Sequence, residues 1–335
     1  MKFDYCIGNP PYQVEAPGTS TSDKPVYHDF MEAAYTIADK VELITPARFL
    51  FNAGATPKAW NEKMLADEHL KILDFHLDSK DVFQNVGIAG GVAISYSDAN
   101  KCNNPIRVFT SYNALQSILN KVVNDDMQSI VDIITTQSKF NLDVLNKAIP
   151  TLHRTDKRLE SNIFSLSVFR ETPMEADDIR VIGLNGNERA YRYIGKEYIE
   201  VSRNLNTYKI VLPKSYGTGI NENSVSPIIG QPVLLKPHEG YTRTFIGIGF
   251  VNTESEAIAI MKYVKSKFAR TMLAVLKVTQ DNNPEKWKYV PLQDFTSNSD
   301  INWNKSISDI DKQLYQKYGL SDDEINFIET HVKEK

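Results

Sequence analysis

Over the first hundred positions short apolar runs and helix-spaced apolar residues take turns along the chain. "FDYCIG" (Phe3–Gly8) reads as a short buried strand that stops at Pro10 and Pro11, because neither proline can donate to a sheet. A polar loop containing Gly18 follows to about Lys24, after which Tyr27, Phe30, Ala34 and Ala38 recur at helical spacing. "VELITPARFLF" reads as a second strand broken at Pro46, and Lys58 to Leu70 as a helix around Trp60, Met64 and Leu65. "KILDFH" and "GGVAISYS" predict two further strands. Strands in turn with helices imply part of an α/β sheet domain over residues 1–112.

Residues 113–150 read as mostly helical, a linker between two parts. From about residue 151 to 335 the pattern shifts to short strands with turn signals, a mixed α+β region. Within it "DIRVIGLNGNERAYRYIG" predicts a hairpin at Asn185-Gly186-Asn187. Thr253 is placed to cap a helix with Ala257, Met261, Val264 and Phe268 along one face. Ser321 and Glu324 spell a capping box for a last helix with Ile325, Ile328 and Val332 inward.

Composition adds bounds. At 335 residues and 41% hydrophobic content the chain can bury real cores and is no disordered tail. Two cysteines, Cys6 and Cys102, suit a reducing cytoplasm better than a disulfide framework. No stretch has the length of a membrane span, so the expectation is a cytoplasmic protein with no membrane partner. The net charge of −4 argues against a generic nucleic-acid binder, yet residues 201–290 hold twelve Lys or Arg against six acids. That local excess is what a polyanion-binding module needs, although such runs are more often solvated faces.

The candidate chemistry lies at Asn9-Pro10-Pro11-Tyr12, a signature that resembles that of enzymes methylating amino nitrogens on DNA bases, RNA bases or protein glutamines. An exocyclic amine is a poor nucleophile because its lone pair is delocalised into the ring. The Asn9 side-chain oxygen and the Pro10 carbonyl can each accept one amine hydrogen, letting the nitrogen move toward tetrahedral geometry. Pro10 biases Asn9 to an extended conformation, and the fixed φ angles of Pro10 and Pro11 stiffen the turn before reaction. Tyr12 offers a face to a base that has left its stack, and Phe83 is the candidate for a second face completing a sandwich.

"FDYCIGNPPYQ", "LITPARFL", "LDFHLDSKDVFQNVGIAGGVAISY", "YKIVLPKSYGTG", "YVKSKFARTMLAVLKVTQ" and "QLYQKYGLSDDEINFIE", in this order, resemble adenine-specific DNA methyltransferases of type II (IIG-like) restriction-modification systems. The resemblance implies the C-terminal half of a Rossmann-like methyltransferase sheet followed by a target-recognition domain that reads double-stranded DNA. It implies catalytic roles for Asn9, Pro10, Pro11 and Tyr12, contact between Phe83 and a flipped adenine, and S-adenosylmethionine as methyl donor. It also makes Lys214, Tyr216, Arg243, Lys265, Lys267, Arg270 and Lys277 candidate DNA contacts.

The family's cofactor-binding half, marked by an F-x-G-x-G-type loop, lies before NPPY in this branch, where only eight residues stand here. The expectation is therefore that S-adenosylmethionine is held by an upstream partner polypeptide or by sequence missing from an incomplete chain. A restriction subunit is a further expected partner, and a catalytically silent DNA-recognition fragment is the alternative. "FIGIGF" (Phe245–Phe250) fits the spelling but lacks a strand-loop-helix setting, so it reads as an ordinary glycine-containing strand. Asp74, Asp78 and Lys80 mimic a nuclease cluster inside the stretch around Phe83, and the histidines and cysteines show no metal-ligand spacing.

Overall fold

The computed structural model describes residues 2–333 apart from 15–23, 52–54, 85–86, 89, 104, 111, 187, 218–227 and 278–279. The polar loop expected before Lys24 and the turn residue Asn187 thus fall largely or wholly outside the described residues. Contacts divide the chain into two compact units, residues 1–116 and 117–335.

In the first unit β1 (Phe3–Gly8) leads to two antiparallel two-residue strands, β2 (Gln13–Val14) and β3 (Lys24–Pro25), then α1 (Tyr27–Ile37) and β4 (Ala38–Pro46). After α2 (Lys58–Ala66) come β5 (Leu70–His76) and β6 (Val92–Asp98). The sheet runs β1-β4-β6-β5, with β1 and β4 parallel and the other pairs antiparallel. It is a mixed α/β unit. Tyr27, Met31 and Ala34 turn α1's apolar stripe onto β4, where Val41 and Leu43 meet it. Met31, Phe49, Met64 and Leu70 are fully buried in this core, each contributing roughly 1.5 to 3 kcal/mol.

Two expectations need correcting here. Phe30 lies off α1's inward stripe and is exposed; Met31 takes the place the spacing gave it. β1 is a strand but not a buried one: Phe3, Tyr5 and Ile7 are 59%, 60% and 74% exposed. Cys6 alone in β1 packs against the core, so its alternate neighbours face away from the helices. Among the described residues no strand pairs with β1's outer edge.

The helix α3 (Asn113–Val122) spans the division between the units. The second unit continues with β7 (Ile134–Thr135) and α4 (Leu142–Ala148), then the hairpin of β8 (Ile179–Asn185) and β9 (Glu188–Ile194). Residues 113–150 therefore carry α3 and α4 as expected of a helical stretch, but also a strand belonging to the second unit's sheet. Next come β10 (Tyr208–Pro213), β11 (Val233–Leu235), β12 (Glu239–Tyr241) and β13 (Phe245–Val251). One sheet is ordered β11-β10-β13-β7 and entirely antiparallel; the other is β12-β8-β9. Helices α5 (Glu254–Lys265), α6 (Lys267–Ala274), α7 (Ile307–Lys317) and α8 (Asp322–His331) close the unit.

Both capping boxes form, at Thr253 with Glu256 and at Ser321 with Glu324. Phe268 is not on the Thr253 helix: Ser266 ends α5 and caps α6, accepting the Ala269 amide at 3.1 Å. Gly186 takes φ 62° in the hairpin turn, where Asn185 pairs with Glu188. No helix among the described residues is long and apolar enough to cross a membrane, and Cys6 and Cys102 are both free thiols.

Candidate functional site

β1 and β4 run parallel as far as Gly8 beside Leu43, so the chain leaves β1 at the carboxyl end of a parallel pair. Ligands of open α/β sheets bind at such ends. Asn9 emerges there with its side chain exposed, Pro10 is half-buried, and Pro11 is exposed. Tyr12 anchors the turn: its carbonyl accepts the Val26 amide at 3.0 Å while its ring packs against the first unit's core. Its hydroxyl is buried with no hydrogen-bond partner among the described residues, and burial pushes its pKa up to about 12.

Phe83 comes to the same place from the loop after β5, the strand at the opposite edge, at this same end of the sheet. Its ring centroid lies 6.4 Å from that of Tyr12, with the planes at 66°. The two rings meet edge to face. They form the corner of a wall rather than the parallel plates of the expected sandwich.

Ser79 holds this corner, a residue the sequence gave no reason to single out. It is 2% exposed. Its carbonyl accepts the Phe83 amide at 2.8 Å and the Val82 amide at 3.1 Å, while its hydroxyl accepts the Ile88 amide at 2.8 Å. Asp78 begins the turn by accepting the Lys80 amide at 3.0 Å. Gly91 closes the loop at φ 76°, its carbonyl accepting the Ala47 amide at 3.0 Å; a Cβ there would lie 2.3 Å from the His76 carbonyl oxygen. Asp-Ser before a 3-10 turn is the local signal that could have revealed the arrangement.

The nuclease-like carboxylates serve the backbone. Asp78 caps its turn, and Asp74 accepts the Phe75 amide at 2.8 Å and lies 3.0 Å from His76 Nε2. No group of three His, Cys, Asp or Glu among the described residues is arranged to hold a metal.

In the second unit the candidate DNA contacts separate into three kinds. Tyr216 is 41% exposed, and Lys214 and Lys265 are half-buried. Arg243 is exposed but bound to Glu160 at 2.7 Å, and Lys267 pairs with Glu329. Arg270 and Lys277 are corrections, because both are buried and spent on the protein's own carbonyls. Arg270 Nε donates to Lys265 and Ser266, and a terminal guanidinium nitrogen donates to Lys333 at 2.7 Å. Lys277 Nζ donates to the carbonyls of Tyr216 at 2.6 Å and Gly217 at 2.8 Å, and burial pushes its pKa down to about 8. Neither leaves a charge for a polyanion.

"FIGIGF" is part of β13. The Tyr241 hydroxyl and Thr135 Oγ1 lie 2.4 and 2.7 Å from where a Cβ on Gly247 would stand, and Ile260 Cδ1 lies 2.7 Å from that of Gly249. Packing inside an antiparallel sheet explains both glycines, and they cradle no ligand.

Residues 1–83 match the Eco57I restriction-modification methylase family. The matched stretch holds Asn9 to Tyr12 and ends at Phe83. A protein of Mycoplasma pneumoniae described as an uncharacterized adenine-specific methylase is 33% identical over 95 residues, 28% of this chain. The alignment spans 22% of that relative's length. Among solved structures, the type IIL restriction-modification enzyme MmeI in complex with DNA aligns over 98% of this chain and 56% of its own, at 12% identity and a TM-score of 0.33.

Proposed function

We propose that this chain supplies the target-base side of a site-specific DNA adenine-N6 methyltransferase of restriction-modification type. The observation that carries the reading is the joint placement of Asn9 to Tyr12 at the carboxyl end of a parallel strand pair and of Phe83 6.4 Å from Tyr12, in the stretch that matches the methylase family. In this reading Asn9 Oδ1 and the Pro10 carbonyl accept the two hydrogens of the adenine amine. Pro11 keeps the turn stiff. Tyr12 and Phe83 receive the flipped ring, recovering part of the cost of unstacking, which is a few kcal/mol. The second unit is the DNA-recognition part, and the first is the half of a Rossmann-like methyltransferase sheet that grips the base.

S-adenosylmethionine is the methyl donor of this reading, but the glycine pattern of β13 does not fit it. The glycine pattern that spells its loop is filled by Tyr241, Thr135 and Ile260. The donor is therefore assigned to residues other than those described, on the same polypeptide or on another, for which β1 is the docking edge: it has apolar outward residues and no partner strand among the described residues. A silent DNA-recognition subunit is the second reading, favoured by the same open edge and filled glycines.

The test is to supply the full chain with the sequence encoded directly upstream, joined to it or separate, radiolabelled S-adenosylmethionine and duplex DNA. Label in adenine is expected, and Asn9→Ala should abolish it with duplex binding preserved. Loss of binding along with label would make Asn9 structural. Duplex binding without any label would leave the silent-subunit reading in possession.

A further inference from the structure

The β8–β9 hairpin has two unlike faces. Ile179, Val181 and Ile194 turn one of them into the second unit's core. On the other, Ile182 of β8 is buried with Val211, Tyr241 and Phe245, while register sets Arg180 opposite Tyr193, Ile182 opposite Tyr191 and Leu184 opposite Arg189, so tyrosine and arginine line that side of β9. Arg180 stacks 4.7 Å above the Tyr191 ring and is ion-paired to Glu239. Arg189 is exposed, lies 5.7 Å from the Phe245 ring and donates to the Gln231 carbonyl at 3.0 Å.

Gln231 links the hairpin to a second segment. Its neighbour Gly230 lies against Pro213 and Tyr216: a Cβ there would stand 2.6 Å from Pro213 Cγ and 3.2 Å from Tyr216 Cδ2. Arg189 and Tyr191, which nothing in the sequence marked, thus share a surface with Lys214 and Tyr216, which the resemblance had. Among the described residues no carboxylate pairs with Arg189 or Lys214; Glu239 is committed to Arg180, and Glu188 adjoins Arg189 in the chain. A guanidinium resting on a ring and tied to one carbonyl keeps free N–H groups in a fixed fork, the geometry that suits a phosphate. Tyrosine beside it suits the sugar edge of the same backbone.

We propose that this face, Arg180, Arg189 and Tyr191 with Lys214 and Tyr216, binds the phosphodiester backbone of duplex DNA. The proposal rests on the DNA-recognition reading of the second unit and gives it a location that does not use the buried Arg270 and Lys277 as DNA contacts.

The full chain is titrated into fluorescein-labelled mixed-sequence duplex and followed by anisotropy at several salt concentrations. Arg189→Ala should weaken binding roughly tenfold and reduce the slope of log affinity against log salt by about one, as loss of one phosphate contact does. Tyr191→Ala should weaken binding with the slope kept, and Arg189→Lys should restore the slope. Thermal melts equal to the parent chain's check that each variant is folded. If the parent binds duplex while Arg189→Ala and Tyr191→Ala bind as tightly with unchanged slope, the face is wrong and the DNA reading stands. If the parent binds no duplex, both fall. Tighter binding of single strands through the same residues would overturn the assignment to duplex.

Discussion

Tyr12 hides a hydroxyl that bonds to nothing among the described residues, an arrangement that costs roughly 1 to 3 kcal/mol where it occurs. Only its ring has work to do against the core and Phe83. Tyr12→Phe is therefore expected to leave the urea midpoint unchanged or raised, by up to about 1 kcal/mol, and to keep any base contact. A clear loss of stability would mean that the hydroxyl has a partner. Asp311 is the second residue whose surroundings decide its behaviour. It accepts the amides of Lys267 and Phe268 at 3.0 and 2.9 Å, yet burial, with Glu329 adding, raises its pKa to about 6. The folded chain thus holds this proton at pH values where the unfolded chain has released it. The stabilisation is full below about pH 4 and is lost as pH rises through about 6, at most about 3 kcal/mol. Urea midpoints at stepped pH should show this decline in the parent and lack it in Asp311→Asn. Asp311 could not be picked from the sequence, because its partners are backbone amides presented by the folded chain, and Ser79 only through the Asp-Ser signal of its turn. Asn9 to Tyr12 could be singled out, because the chemistry proposed for them needs only four consecutive residues.

Elements were legible where their signals are local. Thr253 with Glu256 and Ser321 with Glu324 each complete a box within four residues, and both helices start where those residues predict. Burial of β1 was not legible, since an apolar strand reads the same at the centre of a sheet and at its edge. The break at Ser266, which moves Phe268 onto α6, was hidden by apolar spacing that runs on across it. The loop between β5 and β6 depends on Gly91, whose φ of 76° and 2.3 Å approach to the His76 carbonyl exclude a side chain. Gly91→Ala should cost at least about 2 kcal/mol in chemical denaturation, from left-handed strain together with displacement of His76. An unchanged midpoint would show that the loop closes in another way.

For the molecule as a whole, charge is a poorer guide than placement. The basic run of residues 201–290 contains Lys209, Arg270 and Lys277, all three buried, while Lys267 is ion-paired. A composition count could not separate these from charges that face solvent. Apolar character misleads in the opposite direction at β1, whose outward residues form a patch rather than a core. Ile7, 74% exposed, can take a charge without loss of packing. Ile7→Lys is expected to shift stability by less than about 0.5 kcal/mol and to reduce self-association in sedimentation velocity as concentration rises. Equal self-association of variant and parent would show that β1 is not the sticky edge.

That edge also bears on supply. A strand that needs a cover meets either its proper partner or another copy of itself, and encounters between copies grow with the square of their number. Chains whose β1 stays uncovered would be lost to aggregation or proteolysis, so usable protein would rise less than in proportion to synthesis until that strand is covered.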